Sequence, residues 1–529
     1  MRVLVSDNLG EAGIQMLREE EGIDVDVKTD QTHEELKSII SDYDGLVIRS
    51  ATKVSEDLLD AATRLKVVGR AGIGLDNVDI LAATKRGIVV MNTPGGNIIT
   101  TAEHAIGMLL ALSRNVPEGT ASLKAGRWDK KKLQGREIYN KTLGIIGFGK
   151  IGSIVADRAR GLKMQVIVHD LFVTPEQIEK AGFESVSLKE LYSRSDYITL
   201  HVPRLKETKR LLNKDAFEQM KDGVMIINCA RGGIVDENGL YEALQSGKVA
   251  GAALDVFESE PPGICPLIED ERLICTPHLG ASTHEAQTKV AVDVAGQIID
   301  YLKYGTILNA VNVPSVTGDL LKKLKPLLNL GNQIGSLQAQ LIHGPIKEVS
   351  IEYAGNFKGF DLSPVSIAVV RGLLAPVLKD DVNFVNALTL AKERGIKVNE
   401  ATSDESEEYI NLITVRVMTS DVTNTVSGTL FGKNKIRIVK INNFRLELIP
   451  EGHPALIYNL DKPGAIGSFA TLLGRNNINI DQMQVGQEGT GKMSIIFLKT
   501  DIPITEGVID QLLDLPLIIS VTPLEFETY

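Results

Sequence analysis

A glycine-rich turn between two apolar segments is the first feature of this chain that could do chemistry. Residues 143–146 are apolar and lead into Gly147-x-Gly149-x-x-Gly152, after which an amphipathic segment follows. In this spacing Gly147 allows a tight turn, Gly149 lets the backbone approach a pyrophosphate, and Gly152 lets a helix pack on a strand. The helix N-terminus adds unpaired N–H groups and a partial positive charge. The pattern predicts a dinucleotide site.

An acidic residue at the end of the next apolar segment indicates which dinucleotide would bind. Asp170 ends the run Met164-Gln-Val-Ile-Val-His-Asp170. A carboxylate at this place can accept hydrogen bonds from both ribose hydroxyls of NAD, and its charge would repel the 2′-phosphate of NADP. We therefore expect NAD.

Three downstream segments, each a predicted strand that runs into a turn, hold candidates for acid–base chemistry. They are Ile226-Ile-Asn-Cys-Ala-Arg-Gly-Gly233, Leu254-Asp-Val-Phe-Glu-Ser-Glu-Pro-Pro262 and Cys275-Thr-Pro-His-Leu-Gly-Ala-Ser282. Arg231 could hold a planar carboxylate with two parallel hydrogen bonds. A carboxylate such as Glu260 beside His278 would fix the imidazole tautomer, and the pair would act as general acid and base. Glu258, close by, would be a solvated acid.

With NAD, this set suffices for the oxidation of a 2-hydroxy acid. His278 would take the hydroxyl proton while C2 gives a hydride to the nicotinamide, and Arg231 would orient the carboxylate. Each residue also has a plainer interpretation, as a surface arginine, a solvated loop acid or a structural histidine. The histidines and cysteines are scattered, so no metal site is predicted.

The elements that would position these residues alternate between strand and helix up to about residue 310. Such alternation is typical of doubly wound α/β domains. Predicted parallel strands cover residues 3–6, 45–49, 66–69 and 88–91 before the fingerprint, and residues 143–147, 165–170, 197–201, 224–228, 249–254 and 273–276 after its start. Helices over 97–114 and 283–304 would connect two domains. We expect a discontinuous substrate domain (1–97 and 285–312) and an NAD domain (98–284).

The C-terminal half has a different character. Residues 315–452 contain no cofactor motif, and we expect a helix over 320–342, a strand over 347–353 and an α+β domain. Residues 453–529 follow the order β-α-β-β-α-β, with elements at 455–460, 465–475, 478–485, 492–498, 506–513 and 517–523. That order predicts the ferredoxin-like fold.

Composition excludes several classes of protein. The chain has 529 residues, 43% of them hydrophobic and 24% charged, which is ordinary for soluble multidomain proteins. A net charge of −11 disfavours a nucleic-acid surface, and no apolar run approaches the roughly 18 residues that a membrane span needs. Three cysteines without CxxC spacing favour a reducing, cytoplasmic location.

The quoted motifs occur in the order found in the D-isomer-specific 2-hydroxyacid dehydrogenase family, which residues 1 to about 312 resemble. Gly69-Arg-Ala-Gly-Ile-Gly-Leu-Asp-Asn77 and Asn92-Thr-Pro-Gly-Gly-Asn97 are similar to substrate-domain motifs of its phosphoglycerate-oxidising branch. Tyr458-Asn-Leu-Asp-Lys-Pro-Gly-Ala-Ile466 resembles an ACT regulatory domain. Residues 315–452 have the place of the intervening domain in the long form. The implied fold is a Rossmann-type nucleotide domain and a flavodoxin-like substrate domain, followed by α+β intervening and ferredoxin-like ACT domains.

The resemblance implies NAD-dependent oxidation of 3-phospho-D-glycerate to 3-phosphohydroxypyruvate, the first step of L-serine biosynthesis. It also implies a cytoplasmic homo-oligomer, dimer or tetramer, with allosteric regulation through the C-terminal domains. The implied catalytic residues are Arg231, Glu260 and His278, and the implied NAD-binding residues are Gly147, Gly149, Lys150, Ile151, Gly152, Asp170, Ala230 and Asp255. The implied substrate-binding residues are Arg49, Arg70, Gly72, Gly74 and Asn97, and the implied L-serine-binding residues are Asn459, Asp461 and Asn479.

Several alternatives stay open at this point. The enzyme could act on glycerate or lactate, although the cations Arg49 and Arg70 favour a phosphorylated substrate. It could also be an NAD-sensing interaction protein, against which the C-terminal regulatory region argues. Lys130, Lys131 and Lys132 could reach phosphate in a neighbouring active site or be ordinary solvated lysines. Residues 461–464 could be a helix-initiating turn instead of an effector site.

Overall fold

The described part of the chain forms four β-sheets with their flanking helices. The structure, a computed structural model, describes residues 1–314, 318–357, 361–404, 409–432, 434–487 and 492–526. Residue contacts divide the chain into two units, one formed by Met1–Leu9, Ile14–Asn92 and Val294–Tyr529, the other by Gly10–Gly13 and Thr93–Asp293. Among the described residues, no helix is long and apolar enough to cross a membrane.

The N-terminal sheet has five parallel strands in the order β2-β1-β3-β4-β5. Its elements are β1 (Arg2–Val5), α1 (Glu11–Glu19), β2 (Asp24–Val27), α2 (His33–Ile39), β3 (Gly45–Ile48), α3 (Glu56–Ala61), β4 (Val67–Arg70), α4 (Ile80–Lys85) and β5 (Val89–Asn92). The order is that of flavodoxin-like folds, as predicted. The strand β2 was not predicted, because this partly exposed edge strand alternates aspartate with valine.

The second sheet has seven parallel strands in the order β12-β11-β10-β9-β6-β7-β8. Its unit contains α5 (Ile98–Arg114), α6 (Val116–Lys124), β6 (Thr142–Ile146), α7 (Lys150–Gly161), β7 (Gln165–His169), α8 (Pro175–Lys180), β8 (Glu184–Ser185), α9 (Leu188–Arg194), β9 (Tyr197–Leu200), α10 (Lys214–Gln219), β10 (Val224–Asn228), α11 (Glu237–Gln245), β11 (Val249–Leu254) and β12 (Leu273–Cys275), and the helix α12 (His284–Tyr304) begins in it. The strand order reverses between β6 and β9, the place where ligands bind in open α/β sheets.

The third sheet, in the order β14-β13-β15-β16-β17-β18, is antiparallel except for the β13–β14 pair. Its elements are α13 (Gly318–Leu341), β13 (Ile346–Gly355), α14 (Ser363–Leu378), α15 (Ala387–Glu393), β14 (Lys397–Ser403), β15 (Asn411–Thr419), β16 (Thr423–Phe431), β17 (Lys435–Ile441) and β18 (Phe444–Leu448). The helices α13 and α14 pack on this sheet around a shared apolar core. The predicted helix and first strand are confirmed.

The last sheet is antiparallel, in the order β20-β21-β19-β22. Its elements are β19 (His453–Leu460), α16 (Ala465–Arg475), β20 (Ile480–Gln487), β21 (Met493–Thr500), α17 (Glu506–Leu513) and β22 (Ile518–Pro523). Phe469 and Leu473 anchor α16 in the core, and Leu512 anchors α17. The β-α-β-β-α-β order and the ferredoxin-like topology are both as predicted.

Candidate active site

The glycine turn between β6 and α7 leaves a space in front of the helix. A Cβ on Gly147, whose φ is +98°, would lie 2.5 Å from the carbonyl oxygen of His201, and a Cβ on Gly152 would lie 2.0 Å from that of Gly147. No described atom lies within 4 Å of a Cβ built on Gly149, the N-cap of α7. Two glycines are therefore required by close backbone packing, while the third borders open space. This geometry fits a pyrophosphate at the N-terminus of α7.

Asp170 lies beside this turn, directly after β7. Its Oδ2 accepts a hydrogen bond from the N–H of Phe148 at 2.6 Å, and its Oδ1 accepts from the N–H groups of Phe172 (2.6 Å) and Val173 (2.8 Å). The carboxylate thus joins the fingerprint turn to the end of β7. Its contact with the ribose of NAD stays a prediction, and so do those of Lys150, Ile151 and Ala230 with the cofactor.

His278 and Glu260 form a hydrogen-bonded pair. His278 Nδ1 lies 2.7 Å from Glu260 Oε2, and the side chains are 51% and 38% exposed. Because an ionised carboxylate only accepts hydrogen bonds, Nδ1 donates, and in the neutral ring Nε2 is left to accept a proton. Glu260 Oε1 also accepts from the N–H of Phe257 at 3.1 Å, which holds the carboxylate in place. The pair has the chemistry of an accessible general base with an orienting acid.

The neighbouring Glu258 points elsewhere. Its carboxylate lies 3.6 Å from Arg210 Nη2, and its N–H donates to Glu237 on α11. Burial raises the pKa of Glu237, as do the charges of Glu258 and Asp236, against the effect of that N–H bond. The structure therefore brings Glu260, and not Glu258, to His278.

Asp255 directly follows the strand β11 and is completely buried. Its carboxylate accepts from the N–H groups of Leu279 at 2.7 Å and Gly280 at 2.8 Å, and from the hydroxyl of Thr276. Burial opposes ionisation, but these bonds and one from His104 together hold the pKa of Asp255 below its ordinary value. In this structure the side chain organises the 276–280 loop, and its contact with the nicotinamide stays a prediction.

The Arg231 turn after β10 is built by its own neighbours. Asn228 Oδ1 accepts from the N–H of Ala230, and its Nδ2 donates to the carbonyl of Arg231, each at 3.0 Å. A Cβ on Gly232 would lie 1.7 Å from the carbonyl oxygen of Phe257. The turn is therefore packed against the loop that carries Glu260. The structural roles of Asn228 and Gly232 were not predicted from the sequence. The pattern that could have indicated them is an asparagine shortly before the Gly232-Gly233 pair.

The predicted substrate residues are divided between the two units. Asn97, in the same unit as Arg231 and His278, has a buried Oδ1 for which the described residues supply no hydrogen-bond donor. An unsatisfied buried acceptor is uncommon and is consistent with a ligand-binding role. Lys130, Lys131 and Lys132 belong to this unit as well, and all three are exposed.

The other substrate residues lie at the ends of strands in the N-terminal sheet. The N–H of Arg49 donates to Asp7 Oδ2 at 2.6 Å, and its Nη1 donates to the carbonyl of Asn8 at 2.9 Å. A Cβ on Gly72, whose φ is +144°, would lie 1.7 Å from Arg70 Nη1. The guanidinium of Arg70 thus occupies space that exists only because residue 72 is glycine. Gly74, two residues on, is partly exposed.

The predicted effector residues differ in their accessibility. Asn459 is 2% exposed; its Nδ2 donates to the carbonyl of Leu460 and its Oδ1 accepts from the hydroxyl of Ser494, each at 2.9 Å. Asp461 and Asn479 are exposed, and Asn479 Nδ2 lies 3.3 Å from Asp481 Oδ1. This structure therefore places Asn459 inside the domain and the other two at its surface.

Comparison with known proteins places this geometry in a family. Residues 106–280 match the model of the D-isomer specific 2-hydroxyacid dehydrogenase NAD binding domain, residues 323–442 the D-3-phosphoglycerate dehydrogenase intervening domain, and residues 455–517 the ACT domain. The D-3-phosphoglycerate dehydrogenase of Archaeoglobus fulgidus is 43% identical over 99% of this chain and 100% of its own length. That of Bacillus subtilis is 43% identical over 98% of each chain. The chain belongs to the D-3-phosphoglycerate dehydrogenase family.

Solved structures match about three fifths of the chain. A glyoxylate reductase from Paecilomyes thermophila is 30% identical, with a TM-score of 0.55, over 59% of this chain and 98% of its own. An NAD-dependent formate dehydrogenase from Staphylococcus aureus, in complex with NAD, is 30% identical with a TM-score of 0.55, over 60% of this chain and 100% of its own. The predicted fold class is confirmed, and the chain is an NAD-dependent oxidoreductase of the 2-hydroxyacid dehydrogenase type.

Proposed function

We propose that the enzyme oxidises 3-phospho-D-glycerate to 3-phosphohydroxypyruvate with NAD, the entry step of L-serine biosynthesis. The observation that carries the chemistry is the pair of His278 Nδ1 and Glu260 Oε2 at 2.7 Å, with the ring half exposed. The substrate follows from relatives that share about two fifths of their residues over nearly the whole chain. A cytoplasmic location, a homo-oligomer and the domain boundaries 1–97 with 285–312, 98–284, 315–452 and 453–529 belong to the same proposal.

The residues of the site divide the work of this reaction. The Nε2 atom of His278 accepts the proton of the C2 hydroxyl, and the Glu260 carboxylate stabilises the imidazolium that forms. NAD, when bound, accepts the hydride from C2. Arg231 holds the substrate carboxylate with parallel hydrogen bonds, so that C2 is held in one orientation. The family resemblance also assigns contacts with the substrate to Arg49, Arg70, Asn97 and the backbone N–H groups of residues 72–74.

The proposal is tested by comparing substrates. We expect kcat/KM for 3-phosphoglycerate to exceed that for D-glycerate or D-lactate by at least about 100-fold, because two hydrogen-bonded charge contacts contribute about 3 kcal/mol or more. Arg70→Met should remove most of this preference. Equal kcat/KM values for phosphorylated and unphosphorylated acids would replace the substrate in this proposal with another 2-hydroxy acid.

The mechanism is tested separately from the substrate. Arg231→Ala and His278→Ala should abolish turnover while the dissociation constant for NAD, measured by calorimetry, stays within threefold of the wild-type value. Normal turnover in His278→Ala would exclude the histidine as general base. Absence of NAD-dependent turnover in the wild-type chain with any of the acids would favour the NAD-sensing alternative.

We also propose that L-serine regulates the enzyme through the C-terminal sheet. The accessible candidates are Asp461 and Asn479, since Asn459 is enclosed by Ser494 and Leu460. Inhibition of initial rates by L-serine should be weakened in Asp461→Ala and Asn479→Ala, with turnover in its absence unchanged. Insensitivity of the wild-type rate to L-serine would contradict this regulation without affecting the proposed reaction.

A further inference from the structure

The buried carboxylate of Asp255 is contacted by a histidine from the helix α5, far from it along the chain. His104, on α5, places Nε2 3.2 Å from Asp255 Oδ1 and 3.2 Å from Thr276 Oγ1. The other donors to this carboxylate are Thr276, Leu279 and Gly280, all from the 276–280 loop. Because the Thr276 hydroxyl donates its proton to Asp255, its Oγ1 accepts from His104, which therefore carries a proton on Nε2. The helix α5 and the loop are thereby joined through one buried charge.

That loop carries His278 in an unusual backbone conformation. The φ angle of His278 is +54°, a backbone conformation that residues other than glycine rarely adopt. Its N–H donates to the carbonyl oxygens of Asp255 and Thr276, both at 3.0 Å. A conformation of this kind persists only where surrounding bonds over-determine it. The hydrogen bonds to Asp255 hold the backbone on both sides of His278, at Thr276 before it and at Leu279 and Gly280 after it.

We propose that His104 is a positioning residue for the dehydrogenase reaction. Its imidazole, 21% exposed, fixes the orientation of the Asp255 carboxylate. Asp255 in turn holds the backbone on both sides of His278, so that Nδ1 meets Glu260 and Nε2 faces the substrate. His104 contacts neither substrate nor cofactor in this role. The inference rests on the proposed reaction, because the base that it positions is the one assigned there.

The variants His104→Phe and His104→Gln separate this role from simple packing. Phenylalanine fills the space of the ring without a polar donor, whereas the amide nitrogen of glutamine can reach the place of Nε2. We expect kcat in His104→Phe to fall about 10- to 100-fold, the effect of one lost hydrogen bond to a charged group. The dissociation constant for NAD should stay within threefold. His104→Gln should restore at least a third of the wild-type kcat.

A second readout follows the loop directly and does not depend on turnover. The N–H groups of Leu279 and Gly280 should exchange with deuterium at least tenfold faster in His104→Phe than in the wild-type enzyme, and at nearly the wild-type rate in His104→Gln. His33→Phe is the matched control, because His33 Nε2 on α2 lies 2.8 Å from Asp57 Oδ2 on α3 in an exposed histidine–aspartate pair. It should change neither kcat nor the exchange of these two amides.

Wild-type kcat and exchange rates in His104→Phe would overturn the inference. Equal losses in His104→Phe and His104→Gln would also overturn it, because a restored hydrogen-bond donor would then restore neither turnover nor the loop. An inactive wild-type enzyme that retains NAD binding would instead contradict the proposed reaction, and the exchange measurement would still decide whether His104 holds the loop.

Discussion

Replacement of Gly232 by alanine should reduce catalysis strongly without weakening the binding of NAD. A Cβ at this position would lie 1.7 Å from the carbonyl oxygen of Phe257 and 2.2 Å from its carbonyl carbon. Both are backbone atoms, so no side chain can rotate away. Arg231 precedes Gly232 in its turn, and the Phe257 segment leads to Glu260, so the substitution must push two functional loops apart.

The magnitude follows from the distance. Separating the Cβ from the oxygen to even a tight contact of about 3.0 Å requires a shift of about 1.3 Å (3.0 − 1.7). A misplacement of about 1 Å in a site that depends on orientation can reduce the rate about 100-fold, or about 2.7 kcal/mol in the activation free energy. We therefore expect kcat/KM for 3-phosphoglycerate to fall by about two orders of magnitude.

Steady-state kinetics, NAD titration and a thermal melt together test this reasoning. Gly161→Ala is the matched control, because it lies at the end of α7, and no described atom lies within 4 Å of its added Cβ. That variant should keep the wild-type kcat/KM. A Gly232→Ala enzyme with a kcat/KM within threefold of the wild-type value would refute the claim that this close packing fixes the active loops.

Three other predictions concern separate parts of the site. Gly152→Ala, whose Cβ would lie 2.0 Å from the carbonyl oxygen of Gly147, should raise the dissociation constant for NAD at least about tenfold in calorimetry; an unchanged constant would contradict the close-packed turn. Gly72→Ala should displace the guanidinium of Arg70 and raise KM for 3-phosphoglycerate about tenfold in steady-state kinetics, with little effect on NAD. Burial lowers the pKa of His201 from 6.5 to about 4. As the pH drops, the unfolded chain therefore binds this proton before the folded chain does. The free energy of unfolding should fall by about 3 kcal/mol between pH 6.5 and pH 4. His201→Gln should lose less of its unfolding temperature between pH 7 and pH 4.5 than the wild-type protein, and an equal loss would exclude this histidine as the cause.

The buried parallel strands were predictable because their pattern is simple. The strands β9 and β10 are buried along their whole length and therefore appear in the sequence as mainly apolar runs. The strand β2 has a half-exposed edge with alternating acids, and β8 has only two residues, so neither produces such a run. In the third sheet, β14 is mostly exposed and has no apolar face that would distinguish it from a loop.

The site was predictable only where one residue type suffices for the chemistry. The pairing of Glu260 with His278 was predictable because an acid and an imidazole after neighbouring strands already imply acid–base work. The role of His104 could not be found in this way, because its partner Thr276 lies 172 positions away along the chain. Only the packing of α5 against the end of β11 brings the two together. Close backbone approaches such as that of Gly232 depend in the same way on the folded chain.

Two carboxylates of one loop illustrate why environment, rather than residue type, decides function here. Asp255 is completely buried and its oxygens are occupied by donors of the chain, so it cannot exchange protons with a substrate and serves to hold the backbone. Glu260 is 38% exposed and directs one oxygen to His278 and the other to the N–H of Phe257. In the proposed reaction its charge is therefore available to the imidazolium of His278. The sequence contains both acids within six positions, but only their burial suits Asp255 to holding the backbone and Glu260 to orienting His278 in the proposed reaction.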